Sequence, residues 1–318
     1  MHRLSHFVQC FSHRAKALIL ITIFAIVSPP TLAKFIAVSG NKADTFQNII
    51  IGSVEKTAGQ YGDDTYIDIP NGNFTHQLAQ VKQFAKVGAD AIIIISTSND
   101  PRKTKQLINA AKNIPIVFIN QEPFPNLKQL PPGTIYVGSN EKESGTMQME
   151  ELAKLAHYKG KVALLTGVPS NSAAIMRTQD VKDVLAKYPN MSLVATAVAN
   201  WSRNEAYKIT KKWLKNKLDF NILVANNDEM IIGAILAMQD AGVDPKSYLT
   251  GGIDATQDAL REMEKGNLDV TVLQDAIGQG EQAVKISYRL MQNQNEQSTY
   301  WIPFRLVTLT NYQQYLIK

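Results

Sequence analysis

Residues 222–240 read ILVANNDEMIIGAILAMQD. Four apolar residues, Ile222 to Ala225, come first; Asn226, Asn227 and Asp228 follow; an apolar-rich stretch of helical length then runs from Glu229 to Asp240. A short run without polar members suits a strand covered on both faces, because both flanking layers exclude water from it. Asn and Asp favour the position that starts a helix, where their side chains satisfy its free N–H groups. The stretch therefore predicts a βα unit with a polar corner at the carboxyl end of its strand.

The same unit recurs outward in both directions. Strand-like runs are expected at 35–39, 65–69, 91–96, 116–120, 161–166, 193–198, 249–253 and 270–274. Segments of helical length and period separate them, at 46–61, 74–87, 103–111, 144–157, 173–187, 205–214, 256–264 and 280–291. Repeated βα units build parallel sheets with helices on both faces, so the class is α/β. Nine strands suit two doubly wound parallel-sheet domains; a single (β/α)₈ barrel is the competing architecture.

The first 33 residues read as an export signal. Arg3, Arg14 and Lys16 stand without an acid, an apolar run of 11 residues covers 17–27, and Pro29, Pro30 and Thr31-Leu32-Ala33 close the segment. A membrane span needs about 20 apolar residues, so this run is too short to cross. Cys10 precedes the run, where a lipid anchor would need it to follow. Cleavage after Ala33 leaves 285 residues without cysteine, which suits an oxidising compartment.

Charge then loses its apparent meaning. The whole chain carries 33 basic and 28 acidic residues, a formal +5; without the signal the balance is 30 to 28. Lys208, Lys211, Lys212, Lys215 and Lys217 fall at helical spacing and read as a solvated face. No basic stripe with interleaved aromatics is present, so no nucleic-acid partner is expected. His76 and His157 are 81 residues apart, which offers no metal pair.

Ligands of open α/β sheets sit beyond the carboxyl ends of the strands. Those corners hold Asp44 and Phe46, then Ser96 and Thr97, then Asn171 leading to Arg177, then Trp201, Asn227, Asp254 and Gln274. Any one of the amides and acids is accounted for as a helix cap. Together they describe a polyol site. Paired hydroxyls donate and accept, so Asp and Asn hold them bidentately and Arg adds charged donors. The C–H faces of a sugar pack on aromatic rings, here Phe46 and Trp201.

With these residues in view, the chain resembles the bacterial periplasmic sugar-binding proteins of the galactose/ribose type. The resemblance covers nearly all of 35–318, best at IVFINQEP (116–123), YVGSNEKESG (136–145), LVANNDEM (223–230) and GID (252–254). It implies two α/β lobes joined by a three-segment hinge, crossing near 120–123, 274–276 and 301–305. The lobes would comprise 34–121 with 275–303, and 122–274 with 304–318. It also implies sugar contacts at Asp44, Phe46, Arg177, Trp201, Asn227, Asp254 and Gln274. The expected ligand set is completed by Thr97 and Asn171.

Three departures bear on the ligand. Asn171 stands in place of a histidine of the galactose type, Ala173 in place of a sugar-binding aspartate, and the loop at Ser96–Thr97 is a residue longer without the matching asparagine. A hydrogen bond to a charged group contributes about 1.5–3 kcal/mol, so the lost aspartate argues against galactose or glucose. The calcium loop of that type is also absent, because Tyr158-Lys159-Gly160-Lys161 leaves no room for it. No cofactor is expected. The implied partners are a small sugar or polyol and the membrane permease of an ABC transporter, or else a membrane sensor such as a histidine kinase or chemoreceptor. The chain is expected to act as a monomer.

Enzyme readings fare less well. Asp44, Asp228 and Asp254 offer acids for glycoside hydrolysis, but no spacing pairs them. Gly278-Gln-Gly280-Glu-Gln-Ala283 has a dinucleotide-like spacing late in the chain, with no ribose acid placed for it, and reads as a helix start. No G-x-S-x-G elbow occurs.

Overall fold

A computed structural model describes residues 33–317. The expected export signal, all but Ala33 of it, lies outside the described residues, and so does Cys10. Among the described residues, no helix is long and apolar enough to cross a membrane.

The chain runs β1 (Phe35–Ser39), α1 (Thr45–Gln60), β2 (Asp64–Asp68), α2 (Phe74–Val87), β3 (Ala91–Ile94), α3 (Pro101–Ala111), β4 (Ile116–Ile119) and β5 (Thr134–Gly138). It continues through α4 (Glu141–Leu155), β6 (Gly160–Thr166), α5 (Ser172–Leu185), β7 (Met191–Val198), α6 (Arg203–Lys215), β8 (Ile222–Ala225) and α7 (Asp228–Asp240). Last come β9 (Leu249–Gly251), α8 (Gln257–Glu264), β10 (Val270–Leu273), α9 (Ala276–Met291), β11 (Thr299–Trp301) and β12 (Arg305–Thr308).

Two six-stranded sheets result, in the orders β11-β5-β4-β3-β1-β2 and β12-β10-β9-β8-β6-β7, which excludes the single barrel. All pairings are parallel except the edge strand β12, which runs antiparallel to β10. Each sheet is buried on both faces. Along β1, Ile36 and Val38 join one apolar cluster and Ala37 the opposite one, while in the second sheet Ala163 and Leu165 alternate with Val162 and Leu164. That two-sided burial is why the strands read as continuous apolar runs.

Three strands escape the sequence reading: β5, β11 and β12. The first of them moves a lobe boundary. Thr134 to Gly138 pair with β4 on one side and β11 on the other, so residues 122–138 stay in the first lobe. The chain crosses at 139–140, just before α4 packs against α5, β9 and β10. The expected crossing at 120–123 is therefore corrected. The polar turn there returns the chain to the same sheet, closed by a hydrogen bond from the buried Tyr136 hydroxyl to the Asn120 carbonyl at 2.7 Å. The other crossings fall at 274–275 and 302–304, between β10 and α9 and between β11 and β12.

Candidate functional site

Every one of the nine helices among the described residues begins on a capping side chain: Asp44, Asn73, Asp100, Asn140, Asn171, Ser202, Asn227, Thr256 and Asp275. Because helices follow strands, these caps gather at the carboxyl ends of the two sheets. Between the ends lies a cavity of about 370 Å³, within the size range of small-ligand pockets.

All nine residues expected at the site line it: Asp44, Phe46 and Thr97 from the first lobe; Asn171, Arg177, Trp201, Asn227 and Asp254 from the second; and Gln274 at a crossing. Three of them are also caps. Asp44 accepts from the Gln47 N–H at 2.8 Å and the Gln47 amide at 3.0 Å. Asn227 accepts from Met230 N at 3.1 Å and Asn171 from Ala174 N at 3.3 Å. A cap uses the carbonyl oxygen of an Asn, and the amide N–H groups remain for other partners. Thr97 is engaged too: its N–H and its hydroxyl both donate to Gln77 Oε1 at 2.9 Å. Buried Gln77 in turn donates to the Gly40 and Ile95 carbonyls, stapling the ends of β1 and β3.

Arg177 is the buried centre of the second lobe's wall. Its Nε and Nη2 donate to the two Glu141 oxygens at 2.9 and 3.1 Å, Nη2 also to Gln274 Oε1 at 3.1 Å, and Nη1 to the Asn226 carbonyl at 2.8 Å. Gln274 donates back to Glu141 at 3.2 Å. The guanidinium lies 5.9 Å from the ring centres of both Trp201 and Phe304, within cation–π range. Burial alone would lower the Arg177 pKa, but Glu141 and Asp254 hold the group charged and its pKa is raised. Glu141 and Phe304 were not anticipated. Glu141 falls inside the 136–145 stretch, yet as an acid in a helix's first turn its bland role is to complement the helix dipole.

Trp201 reaches the cavity through an unusual corner. Asn200 and Trp201 are both left-handed, at φ 50° and 64°, which turns the indole back over Gly167. A methyl group at Gly167 would fall inside the indole ring, so only glycine fits there.

Asp254 stands on a strained corner as well, with φ 127° at Asp254 and 52° at Ala255. Buried Asp228 clamps this turn, one oxygen accepting from Thr256 N at 2.8 Å and the other from the Thr271 hydroxyl at 2.8 Å. Burial pushes the Asp228 pKa up to about 6. With both oxygens committed beneath the turn, Asp228 is a structural acid and takes no part in lining the cavity. The Asp254 carboxylate is 96% buried, faces the cavity, and among the described residues accepts no hydrogen bond; its nearest cation is Arg177 Nη1 at 3.8 Å. Burial, with Asp228, Asp44 and Glu141 adding repulsion, holds its pKa well above the usual carboxylate range despite Arg177.

Two further lining residues were missed. Glu122 follows β4, and burial together with Glu141 raises its pKa. Gln121 accepts from the Asn171 amide at 2.8 Å, a hydrogen bond that passes directly from one lobe to the other. No signal in the sequence pairs residues 50 positions apart.

The sequence profile of the periplasmic binding protein domain matches residues 35–295. A candidate rhizopine-binding protein of Rhizobium meliloti is 38% identical over 275 residues, covering 86% of this chain and 89% of its own. The D-galactose/methyl-galactoside binding periplasmic protein of Haemophilus influenzae is 30% identical over 275 residues, 81% of this chain and 82% of its own. Among solved structures, an ABC transporter solute-binding protein from Bacillus halodurans with bound myo-inositol superimposes with a TM-score of 0.82 at 33% identity. It covers 89% of this chain and 96% of that one.

Proposed function

We propose, from the premise that this chain belongs to the periplasmic binding protein family, that it captures a small sugar or polyol between its two lobes and delivers it to the permease of an ABC transporter. The reading rests on one observation: a ligand-sized cavity whose walls, drawn from both lobes, combine acids and amides with Trp201 and Phe46. Asp254, Asp44 and Asn227 would take hydroxyl pairs, and the two rings would take C–H faces. Galactosides and myo-inositol, named for the relatives, are small polyols of this kind. Ala173 lines the wall without a polar atom, which favours a ligand other than galactose or glucose.

Capture works by hinge closure about the three crossings. Closing removes water and strengthens every hydrogen bond in the cavity. Micromolar affinity requires about −8 kcal/mol, within reach of a few charged hydrogen bonds and two ring contacts after ordering costs. The chain is a binder and not an enzyme. The relatives are binding proteins, and two of the three acids available for hydrolysis, Asp44 and Asp228, are held by backbone and side-chain donors. It works in the periplasm as a monomer, after cleavage behind Ala33. The closed lobes would suit a membrane sensor equally, and neighbouring genes for a permease and ATPase or for a kinase distinguish the two partners.

Calorimetry against a panel of sugars, inositols and linear polyols tests the reading, with Trp201→Ala and Asp254→Ala alongside. We expect at least one micromolar ligand and a loss of tenfold or more in each variant. No ligand in the panel, or variants that bind like the parent, would sink it.

A further inference from the structure

At the amino ends of the first sheet's strands, away from the cavity, the fold grips the start of β1. That strand lies between β2 and β3, and an aspartate stands immediately before each of those two, Asp63 and Asp90. The Lys34 backbone nitrogen donates to Asp63 Oδ1 at 2.6 Å, and the Phe35 N–H to Asp90 Oδ2 at 2.8 Å. Lys34 Nζ reaches the other Asp90 oxygen at 3.4 Å. The backbone closes the grip: Asp64 N donates to the Lys34 carbonyl at 3.2 Å and Asp90 N to the Phe35 carbonyl at 2.8 Å. The second Asp63 oxygen accepts from the Tyr288 hydroxyl, and the Tyr288 ring stacks on Tyr61 with centres 4.2 Å apart. Asp63 is half-buried and oriented from two sides, whereas Ala33 and Lys34 are exposed.

As a peptide N–H, the Lys34 nitrogen offers Asp63 one donor and no charge. Hydrolysis of the Ala33–Lys34 bond by a signal-removing peptidase consumes one water. It leaves a carboxylate on Ala33 and, on Lys34, an α-ammonium with three donors. The new positive charge arises on the very atom that already touches Asp63, and so converts a hydrogen bond into an ion pair. We propose that Asp63 is the receiving site for the α-ammonium that signal removal creates at Lys34, so that processing itself stabilises the exported fold. This rests on cleavage behind Ala33 and is independent of the ligand.

Mass spectrometry of the exported chain fixes its first residue. Thermal melts then compare the chain that begins at Lys34 with one carrying a short glycine-serine extension ahead of Lys34, each with and without Asp63→Asn. At about pH 6.5 the free Lys34 terminus should melt about 2 °C higher than the extended chain, the scale of a partly exposed ion pair in a domain of this size. Asp63→Asn should erase that difference. An α-amine titrates near 7.7–8.0 when free, and an anionic partner raises its pKa in the folded state. Its contribution is therefore full below about pH 7.7 and lost as pH rises through the folded value, so the difference should be largely gone at about pH 9.5. The groups facing the α-ammonium are Asp63 and Asp64 at the start of β2, Asp90 before β3, Tyr288 on α9, Tyr61 after α1 and Lys34 Nζ. All are common to both chains, so the difference reports the α-ammonium alone.

An extended chain that melts with the mature one would overturn the proposal, as would a difference that survives Asp63→Asn or stays constant with pH. A first residue other than Lys34 would overturn it too. Should Asp63→Asn fail to fold, the pH dependence of the two parental chains decides. None of these results touches the ligand reading, which calorimetry tests separately.

Discussion

Arg177 directs four N–H groups at protein acceptors, and a guanidinium carries five. At most one therefore remains for a ligand, so this arginine is chiefly a rigid wall that Glu141 makes electrically tolerable. Removing one member of a buried pair leaves an uncompensated charge and costs about 3–5 kcal/mol. Glu141→Ala should accordingly lose stability on that scale in urea unfolding, and an unchanged midpoint would show that Arg177 does not depend on it. The corner residues were visible in the sequence because each follows an apolar run. Glu141 was not, since it lies 36 positions from its partner and first-turn acids are common. Asp228, offered only among the acids for hydrolysis, is the converse case. An acid at a strand end reads as cleft-facing, and only the Thr256 and Thr271 contacts reveal that it points beneath the turn.

At the scale of elements, the Glu141–Arg177 pair depends on how closely α4 crosses α5. A Cβ at Gly145 would sit 2.7 Å from the Arg177 carbonyl oxygen and 2.8 Å from Asp180 Cβ, so the glycine one turn after Glu141 sets the helix separation. Gly145→Ala should force the helices apart, destabilise the fold by about 1–3 kcal/mol and weaken ligand binding through Arg177; a thermal melt with parallel calorimetry checks both. The same interface holds Asp180, whose Oδ2 is buried without a partner among the described residues and whose pKa burial raises to about 6. Its folded pKa lies above the unfolded value, so its contribution to stability is full below about pH 4 and is lost as pH rises through about 6. Relative to the parent, Asp180→Asn should gain stability between pH 4 and pH 7.5 in urea titrations. A pH-independent difference would rule this out. The helices themselves were legible from period and length. β5, β11 and β12 were not: β5 and β12 each follow a strand with no α-helix between, outside the strand–helix alternation, and β11 and β12 are edge strands of three and four residues whose pairing supplies their definition.

At the scale of the molecule, the hydrogen bond from Asn171 to Gln121 ties the lobes where the cavity lies. A net hydrogen bond contributes about 0.5–1.5 kcal/mol, enough to shift an open–closed equilibrium several-fold. Gln121→Ala should weaken ligand affinity up to about tenfold and enlarge the radius of gyration of the free protein in solution scattering, while its melting temperature stays put. Unaltered affinity and radius would remove the bond from the closure mechanism. The chain order of strands and helices, and with it the α/β class, is determined by the sequence alone, because two-sided burial and helical period leave local patterns that need no partner to be read. The polar corners are local in the same way, so the list of cavity residues was within reach. What only the tertiary structure decides is which of those corners meet. The place where the chain leaves the first sheet follows from β5 pairing with β4. The identity of the acid that neutralises Arg177 follows from the α4–α5 crossing. Each is a contact between residues far apart in the chain, and such contacts leave no periodicity in the sequence.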